Sequence, residues 1–555
     1  MIGVVADPVD QGVVREFFEL FKTPWEFYRS DRHYDVLLCT KDGQIDGAAK
    51  LVLLYSGREI HFDEGQRVQS GGQHRQTRIL FYQGNRIPIY GNTITFPGEE
   101  SGLVADEESQ ECAAYFQRSK ERVVVRIGYD LFREIRTLLT VGQPYTNANI
   151  PTLELHIAFL RDVITRCGIP VVEIPPVPQG FQFVACLTHD VDHPSIRQHK
   201  LDHTIIGFLF RATIVSLVDT FLGRMSIGDA VKDWVAAIKL PFVYLGLAKD
   251  FWRDFDDRYL ELEKDLPSTF FVIPRKNYAG KLVDGPAPAL RATCYEAKEI
   301  VDKIGRLRST GHEVGLHGID AWLDSAAGQG EFEEVRRLTG VSEMGVRMHW
   351  LYYNEKSPAV LEKTGAAYDS TVGYNETVGY RAGTTQVYKP LEVEQMLELP
   401  MHAMDTALFY LSYLGLSPQQ AGSRLHQLTD NVVRFGGCLT VNWHDRSLAP
   451  ERLWGGCYRE LVQEMKTRGA WFATASQTTA WFRKRRSATF ETDGPEVGKV
   501  RAKVAVASGD NLPGLRFRIH EVREKGLAGS HHSGNYLDKM VDEGVVVDIV
   551  SEAQK

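Results

Sequence analysis

Between residues 181 and 486 the chain repeats one pattern: a short apolar run, a polar residue at its end, then a stretch with helical spacing. The runs are FQFVACL, STFFVI, HEVGLH, GVRMHWL, YDSTVGY, QMLELPM, GCLTVNWH and AWFATA. Their length and their β-branched and aromatic content predict strands, and segments such as YEAKEIVDKIGRLRST predict helices between them. Strands alternating with helices imply an α/β fold, either a barrel or an open parallel sheet.

The flanking regions read differently. Residues 1–175 are expected to form a mixed α/β N-terminal domain. VVREFFELF and PTLELHIAFLRDVITRCG have helical spacing, the second with a Gly stop. DVLLC, KLVLLYSG and RILFYQGNRIPIYGNTITF read as strands with Gly/Asn turns. The tract IPPVPQG, Ile174 to Gly180, marks a boundary. Residues 487–555 contain KVRAKVAVAS, LRFRIHEV and GVVVDIV, which predict a small β-rich C-terminal module.

Composition narrows the function classes. The 555 residues carry a net charge of −8, which offers no electrostatic footprint for nucleic acid. Seven cysteines without metal-ligand spacing read as reduced thiols, and the N-terminus lacks a signal-peptide pattern, so a cytoplasmic protein is expected. An apolar insertion at about 201–249 contains IIGFLFRATIVSLVDTFL and WVAAIKLPFVYLGLAKDFW. It reads either as a pair of buried helices or as a hairpin lying on a membrane through about 205–249, at the inner membrane surface.

The strand ends carry the chemistry. Asp190 and Asp192 follow the first run, His317 ends the third, Arg347 and His349 lie in the fourth, Asp369 in the fifth, and His444 and Asp445 end the seventh. In a (β/α) barrel that end of the strands is the active-site face. Asp190 and Asp192 are two residues apart and point the same way on extended chain, an arrangement that lets one carboxylate bind a divalent ion while the other acts as a base. Aspartate pairs after a strand also occur in haloacid dehalogenase-like phosphatases and in glycosyltransferases, but the phosphatase pattern has Thr or Val where this chain has Pro194. His312 and His317 are separated by roughly 16 Å of strand and cannot share one ion. Arg347 can hold a base carboxylate ionised and oriented.

In this order the motifs THDVD, STFFVI, GHEVGLHG, RMHWL, YDSTVGY with GYRAGT, and NWHD resemble those of the polysaccharide deacetylase superfamily, carbohydrate esterase family 4, over residues 181–486. The resemblance implies a deformed (β/α) barrel of about seven strands and metal-dependent removal of an acetyl group from an N- or O-acetylated sugar. It implies Asp190 as the base, Asp192 and His317 as ligands, Arg347 as the residue that positions the base, His444 as the acid and Asp369 as the carboxylate near it. The family's second ligand histidine falls on Ala321. His349 is the preferred substitute, ahead of Asp320 and His193. One divalent metal, with zinc the first choice for Asp/His ligation, is the expected cofactor. The expected partner is an acetylated glycan or a lipid-linked sugar. The competing reading is a degenerate barrel that binds glycan or serves an assembly, because Ala321 removes a ligand.

Overall fold

The computed structural model describes residues 1–42, 49–66, 70–98, 102–119, 122–200, 202–223, 225–492, 499–503, 511–521, 536–541 and 546–548. The chain divides into two compact units. One comprises Met1–Gly180, Tyr380–Leu391 and Trp481–Lys555, the other Phe181–Gly379 and Glu392–Ala480.

The second unit is built on a curled, all-parallel sheet. Its strands run in the order Leu397–Glu398, Tyr368–Asp369, Val346–Met348, Glu313–Gly318, Thr269–Val272, Phe183–Val191, Cys438–Asn442 and Ala403–Met404. Ala470–Phe472 pairs beside the start of Phe183–Val191. Every one of the eight predicted runs therefore supplies a strand. Phe183–Val191 is central, and all nine of its residues are buried, as expected of a parallel strand covered on both faces.

The first and last members of this order belong to one stretch of chain, residues 397–404. On one side Leu399 N–H donates to Asp369 O and Met401 N–H to Val372 O; on the other His402 N–H donates to Thr440 O. That irregular stretch joins the two edges of the curl, which gives the deformed α/β barrel its shape and leaves the Leu397–Glu398 and Ala403–Met404 strands only two residues long. Because all neighbours are parallel, the ends at Val191, Gly318, Met348 and Asn442 lie on one side of the sheet.

The insertion after the first strand is helical. His203–Phe210 runs through a wide π turn, Arg211–Val215, into Ser216–Phe221, and Ile227–Tyr244 returns. Ile205, Phe208, Ala212, Ala236, Leu240 and Val243 pack with Trp252 in one core cluster. The opposite faces stay open: Ile206, Phe210, Ile214, Leu217 and Phe221 are exposed on the first arm, and Ile227, Val231, Val235, Ile238, Phe242 and Leu245 on the second. These spacings of three and four residues form one apolar stripe per helix.

The first unit holds a nine-stranded mixed sheet. Trp25–Phe27, Ile2–Val5, Val36–Cys39, Leu51–Tyr55 and Val123–Ile127 are parallel; Cys112–Arg118, Gly102–Asp106, Arg78–Tyr82 and Asn85–Ile89 continue antiparallel. The last two form a tight hairpin whose corner, Gln83–Gly84, has positive φ at both positions, the twist that two-residue loops require. The C-terminal runs are strands at Lys499–Lys503, Leu515–His520 and Val546–Asp548. Residues 487–555 cluster with this unit: Val171–Glu173 pairs antiparallel with Leu515–His520. Glu154, wholly buried, accepts from Thr384, Thr385 and Gln386, which accounts for the inclusion of Tyr380–Leu391.

Candidate active site

The strand Phe183–Val191 delivers its alternate residues to opposite faces. His189 turns away from the site, where its Nε2 lies 2.9 Å from Glu263 and its Nδ1 2.9 Å from Trp443 O. Asp190 turns inward. Its Oδ1 accepts from Arg347 Nη1 at 3.1 Å and its Oδ2 from Asn442 Nδ2 at 2.7 Å, while its own N–H donates to Asn442 Oδ1. Arg347 is fully buried. It also donates to Thr188 Oγ1 and to the hydroxyl and carbonyl of Ser370, so its planar fork is fixed in direction. Asp190 is thereby held in place, with one oxygen 3.8 Å from His317 Nε2.

Asp192 is the centre of a ring of imidazoles. Its Oδ1 lies 3.4 Å from His317 Nε2 and 3.7 Å from His349 Nε2, and its Oδ2 is 3.7 Å from His444 Nε2. Burial works to raise its pKa, but His349, His317 and His444 hold it well below the usual carboxylate range. Asp192 Oδ1 is buried without a hydrogen-bond partner among the described residues. The donor atoms of Asp192, His317 and His349 all lie within 4.8 Å of one another. His317 Nδ1 is 2.9 Å from Arg347 O, which directs Nε2 to the centre. His349 is held well below the usual imidazole range by burial, with Asp192 opposing, so it presents a neutral ring. An orphaned carboxylate oxygen beside two imidazoles is the donor set of a divalent cation, and the three residues fit one.

His349 reaches this position because the chain turns sharply after it: Trp350 and Leu351 have φ of 62° and 53°. Arg291 clamps the turn by donating to His349 O at 2.8 Å. The other substitutes are engaged elsewhere. Asp320 accepts from Tyr278 and from Lys281 N–H. His193 Nδ1 is 3.1 Å from His199 Nε2, whose Nδ1 is 2.8 Å from Asp202. Ala321 is fully buried; a Cβ built on Gly328 would lie 2.9 Å from its Cβ, so the helix Ser325–Thr339 sits directly on the position where the family has a ligand. His312 lies at the opposite end of its strand, 2.8 Å from Ser268 Oγ.

His444 follows the strand Cys438–Asn442. Its Nδ1 is 2.6 Å from Asp405 Oδ1, and its N–H donates to Asp405 Oδ2 at 2.7 Å. Burial would lower the imidazole pKa, but Asp405 first, then Asp192 and Asp190, raise it to about 10. The ring is therefore a proton donor at neutral pH.

Asp369 is not the carboxylate beside His444. It accepts from Thr371 Oγ1 and interacts with Glu398 closely enough to share a proton; Glu398 Oε1 accepts from Val372 N–H at 2.8 Å. Burial raises Asp369 to about 6 and holds Glu398 well above the usual carboxylate range. Asp405 takes the role, from the junction between the two-residue strand Ala403–Met404 and the helix Asp405–Phe409. Sequence reading passed over Asp405 and Asn442; the second lies within the NWHD motif, and the first had only its place after an apolar run to mark it.

No family model matches the chain, and no curated protein matches it. Among solved structures the chain is similar to two proteins described as polysaccharide deacetylases. One is from Mycobacterium smegmatis (17% identity, 58% of this chain and 99% of the other, TM-score 0.34), the other from Pseudomonas aeruginosa PAO1 (15%, 58% and 98%, TM-score 0.35). A mutant of a carbohydrate esterase family 4 pseudoenzyme with restored activity is also similar (11%, 55% and 72%, TM-score 0.27).

Proposed function

We propose that the protein is a metal-dependent hydrolase that removes an acetyl group from the nitrogen of an N-acetylated sugar. The observation that carries this reading is that Asp190 and His444 both border the Asp192–His317–His349 donor set, 3.8 Å from His317 and 3.7 Å from Asp192 respectively. A divalent cation held there, zinc by donor type, would polarise an amide carbonyl and make a water acidic.

The chain's own groups divide the remaining work. Arg347 and Asn442 keep Asp190 oriented, and Asp190 takes the proton of the attacking water. The C–N bond then breaks. His444, protonated through Asp405, gives its proton to the departing nitrogen, leaving acetate and an amine. The same division of acid and base fits an ester, but a protonated acid matters more for an amine, which is the poorer leaving group.

The exposed apolar stripes of residues 206–245 support action at a membrane surface on a lipid-linked sugar. The segment His203–Phe221 has a mean hydropathy of 1.6 with 22% of it buried. All seven cysteines are free thiols, which supports the cytoplasmic side.

The first experiment is elemental analysis of the purified full-length chain beside Asp192→Ala and His317→Ala. About one equivalent of metal, lost in both variants, supports the reading, and acetate release from N-acetylated glycans and glycolipids is then measured. No metal in any sample, even after supplementation, sinks it.

A further inference from the structure

The loops that carry Asp405 and His444 also carry Tyr410, Arg446 and Arg452, and the insertion adds Arg211. We propose that Arg211, Arg446, Arg452 and Tyr410 form a subsite for a phosphate ester on the substrate, next to the hydrolytic centre. This deepens the hydrolase reading above and rests on it for the identity of the neighbouring site.

The guanidinium groups of the cluster have no carboxylate in direct contact, although Glu451, Asp445 and Asp233 act on them from farther off. None of the three guanidinium groups has a carboxylate within 4.0 Å among the described residues, whereas Arg347 has Asp190 at 3.1 Å. Arg452 is 5% exposed, and its Nε and Nη1 are buried with no hydrogen-bond partner among the described residues. Arg211 Nε is likewise buried and unpartnered. Arg446 donates only weakly, to Tyr410 Oη at 3.3 Å. The aromatic neighbours cover guanidinium faces and leave donor edges: Arg452 lies 4.7 Å from the Trp454 ring and 5.2 Å from the Tyr410 ring, and Arg446 5.5 Å from that of Trp252. Burying a charged donor without a partner is costly, so Arg452 and Arg211 with their orphaned donors, beside Arg446, make a site built for an anion.

The nearby acids do not pair with the cluster: Glu451 Oε2 and Asp233 Oδ1 are themselves buried without a hydrogen-bond partner among the described residues. Burial lifts Asp233 and Asp445 to about 7, and it raises Glu451 too. The phenol of Tyr410 shows the same imbalance: burial would raise its pKa, yet Arg452, Arg446 and Arg211 bring it down to about 7.

Arginine forks recognise both carboxylate and phosphate. Three converging guanidinium groups match a dianion better than a single carboxylate. Arg211 adds a second argument. It opens the π turn of the insertion, facing inward, while Phe210 and Ile214 beside it are exposed. One segment thus offers a cation to the site and an apolar surface outside it, the two ends of an amphiphilic phosphate ester. Arg446 is also near enough to interact with the charge of Asp192, and Tyr410 with that of His444.

The test is calorimetric titration of the full-length protein, metal-free and metal-loaded, with inorganic phosphate, octyl phosphate and acetate. Saturable phosphate binding by the metal-free protein is expected, tighter for octyl phosphate and at least tenfold weaker for acetate. Arg452→Gln and Arg211→Gln should each weaken it at least tenfold; Arg211 is only partly buried, so its variant remains informative if the other fails to fold. No phosphate binding without metal, unchanged binding in both variants, or acetate binding equal to phosphate would overturn the proposal. Binding of phosphatidylcholine vesicles should be unchanged in Arg211→Gln; loss in parallel with phosphate binding would make the ligand a bilayer headgroup and overturn the substrate subsite. Metal content is measured on the same samples, so phosphate binding by a chain that never takes up metal would support the anion site while sinking the hydrolase reading.

Discussion

His349 Nε2 lies 3.7 Å from Asp192 Oδ1, and its ring centre is 5.0 Å from that of His317, so the residue just after the fourth barrel strand stands where a donor is needed. The donor set is complete without a histidine at position 321. His349→Ala should therefore lower metal affinity by at least tenfold, and His317→Ala should do the same. Ala321→His should not rescue it, because that position is covered by the helix Ser325–Thr339. Equilibrium dialysis with zinc would check both. Undiminished affinity in His349→Ala would remove it from the donor set.

On the proposed mechanism Asp190 and Asp192 separate the duties of base and ligand. Asp190 is satisfied by Arg347 and Asn442, whereas Asp192 has a buried oxygen with no hydrogen-bond partner among the described residues. Asp190→Asn should keep the metal and cost about 10²–10⁴ in kcat, the usual range for a lost general base. Parallel measurement of metal content and turnover decides the point: metal loss in Asp190→Asn contradicts the division.

On the proposed mechanism Asp405, which holds His444 by its Nδ1 and its N–H, is a positioning residue. With Asp405→Asn the imidazole loses the partner that most raises its pKa. The rate should fall about 10²-fold or more at neutral pH, and the alkaline limb of the kcat profile should move to lower pH. A rate loss with an unmoved limb would reduce Asp405 to a structural support of the loop.

The strand pattern was legible because each run is short, apolar and ended by a polar residue, and a parallel sheet buries both faces of every strand. The residues of its longer strands came out accordingly: Asp190 with Arg347, Asp192 with His317. Asp369 was misassigned where that signal fails. Its strand, Tyr368–Asp369, has two residues, and the partner of His444 comes from an equally short one, so no periodicity marks which carboxylate faces inward. The pairing of Val171–Glu173 with Leu515–His520 spans more than three hundred residues through a three-residue strand, too little sequence to announce a partner. The arginine subsite assembles from three separate loops and helices, and nothing local distinguishes Arg452 from a surface arginine.

The Asp369–Glu398 pair gives a pH signature of stability. Both carboxyls have folded-state pKa values raised by burial, Asp369 to about 6. The folded chain then holds protons that the unfolded chain releases above its carboxylate pKa of about 4. The stabilisation is full below that value and is lost as pH rises through about 6. Glu398→Gln keeps a hydrogen bond to Asp369 while removing one ionisation. Relative to the variant, the wild-type chain should lose stability progressively between pH 4 and pH 7. Urea denaturation at a series of pH values would show it, and parallel stability curves for the two proteins would contradict a shared proton.

The apolar stripes of the insertion make the last prediction. Phe221 is 90% exposed, Ile227 72% and Ile238 68%, on helices whose other faces pack around Phe208 and Trp252. Each large apolar side chain moved from water into an interface gains up to about 1.5–3 kcal/mol, so several along two arms suffice for stable attachment. Phe221→Asp and Ile238→Asp should each reduce binding to vesicles at least tenfold while leaving the fold and metal content unchanged, since both residues face solvent. Flotation with phosphatidylcholine and phosphatidylglycerol vesicles would measure this. If neither the wild-type chain nor the variants bind either vesicle, the stripes do not serve a membrane, and a soluble N-acetylated glycan becomes the substrate to pursue.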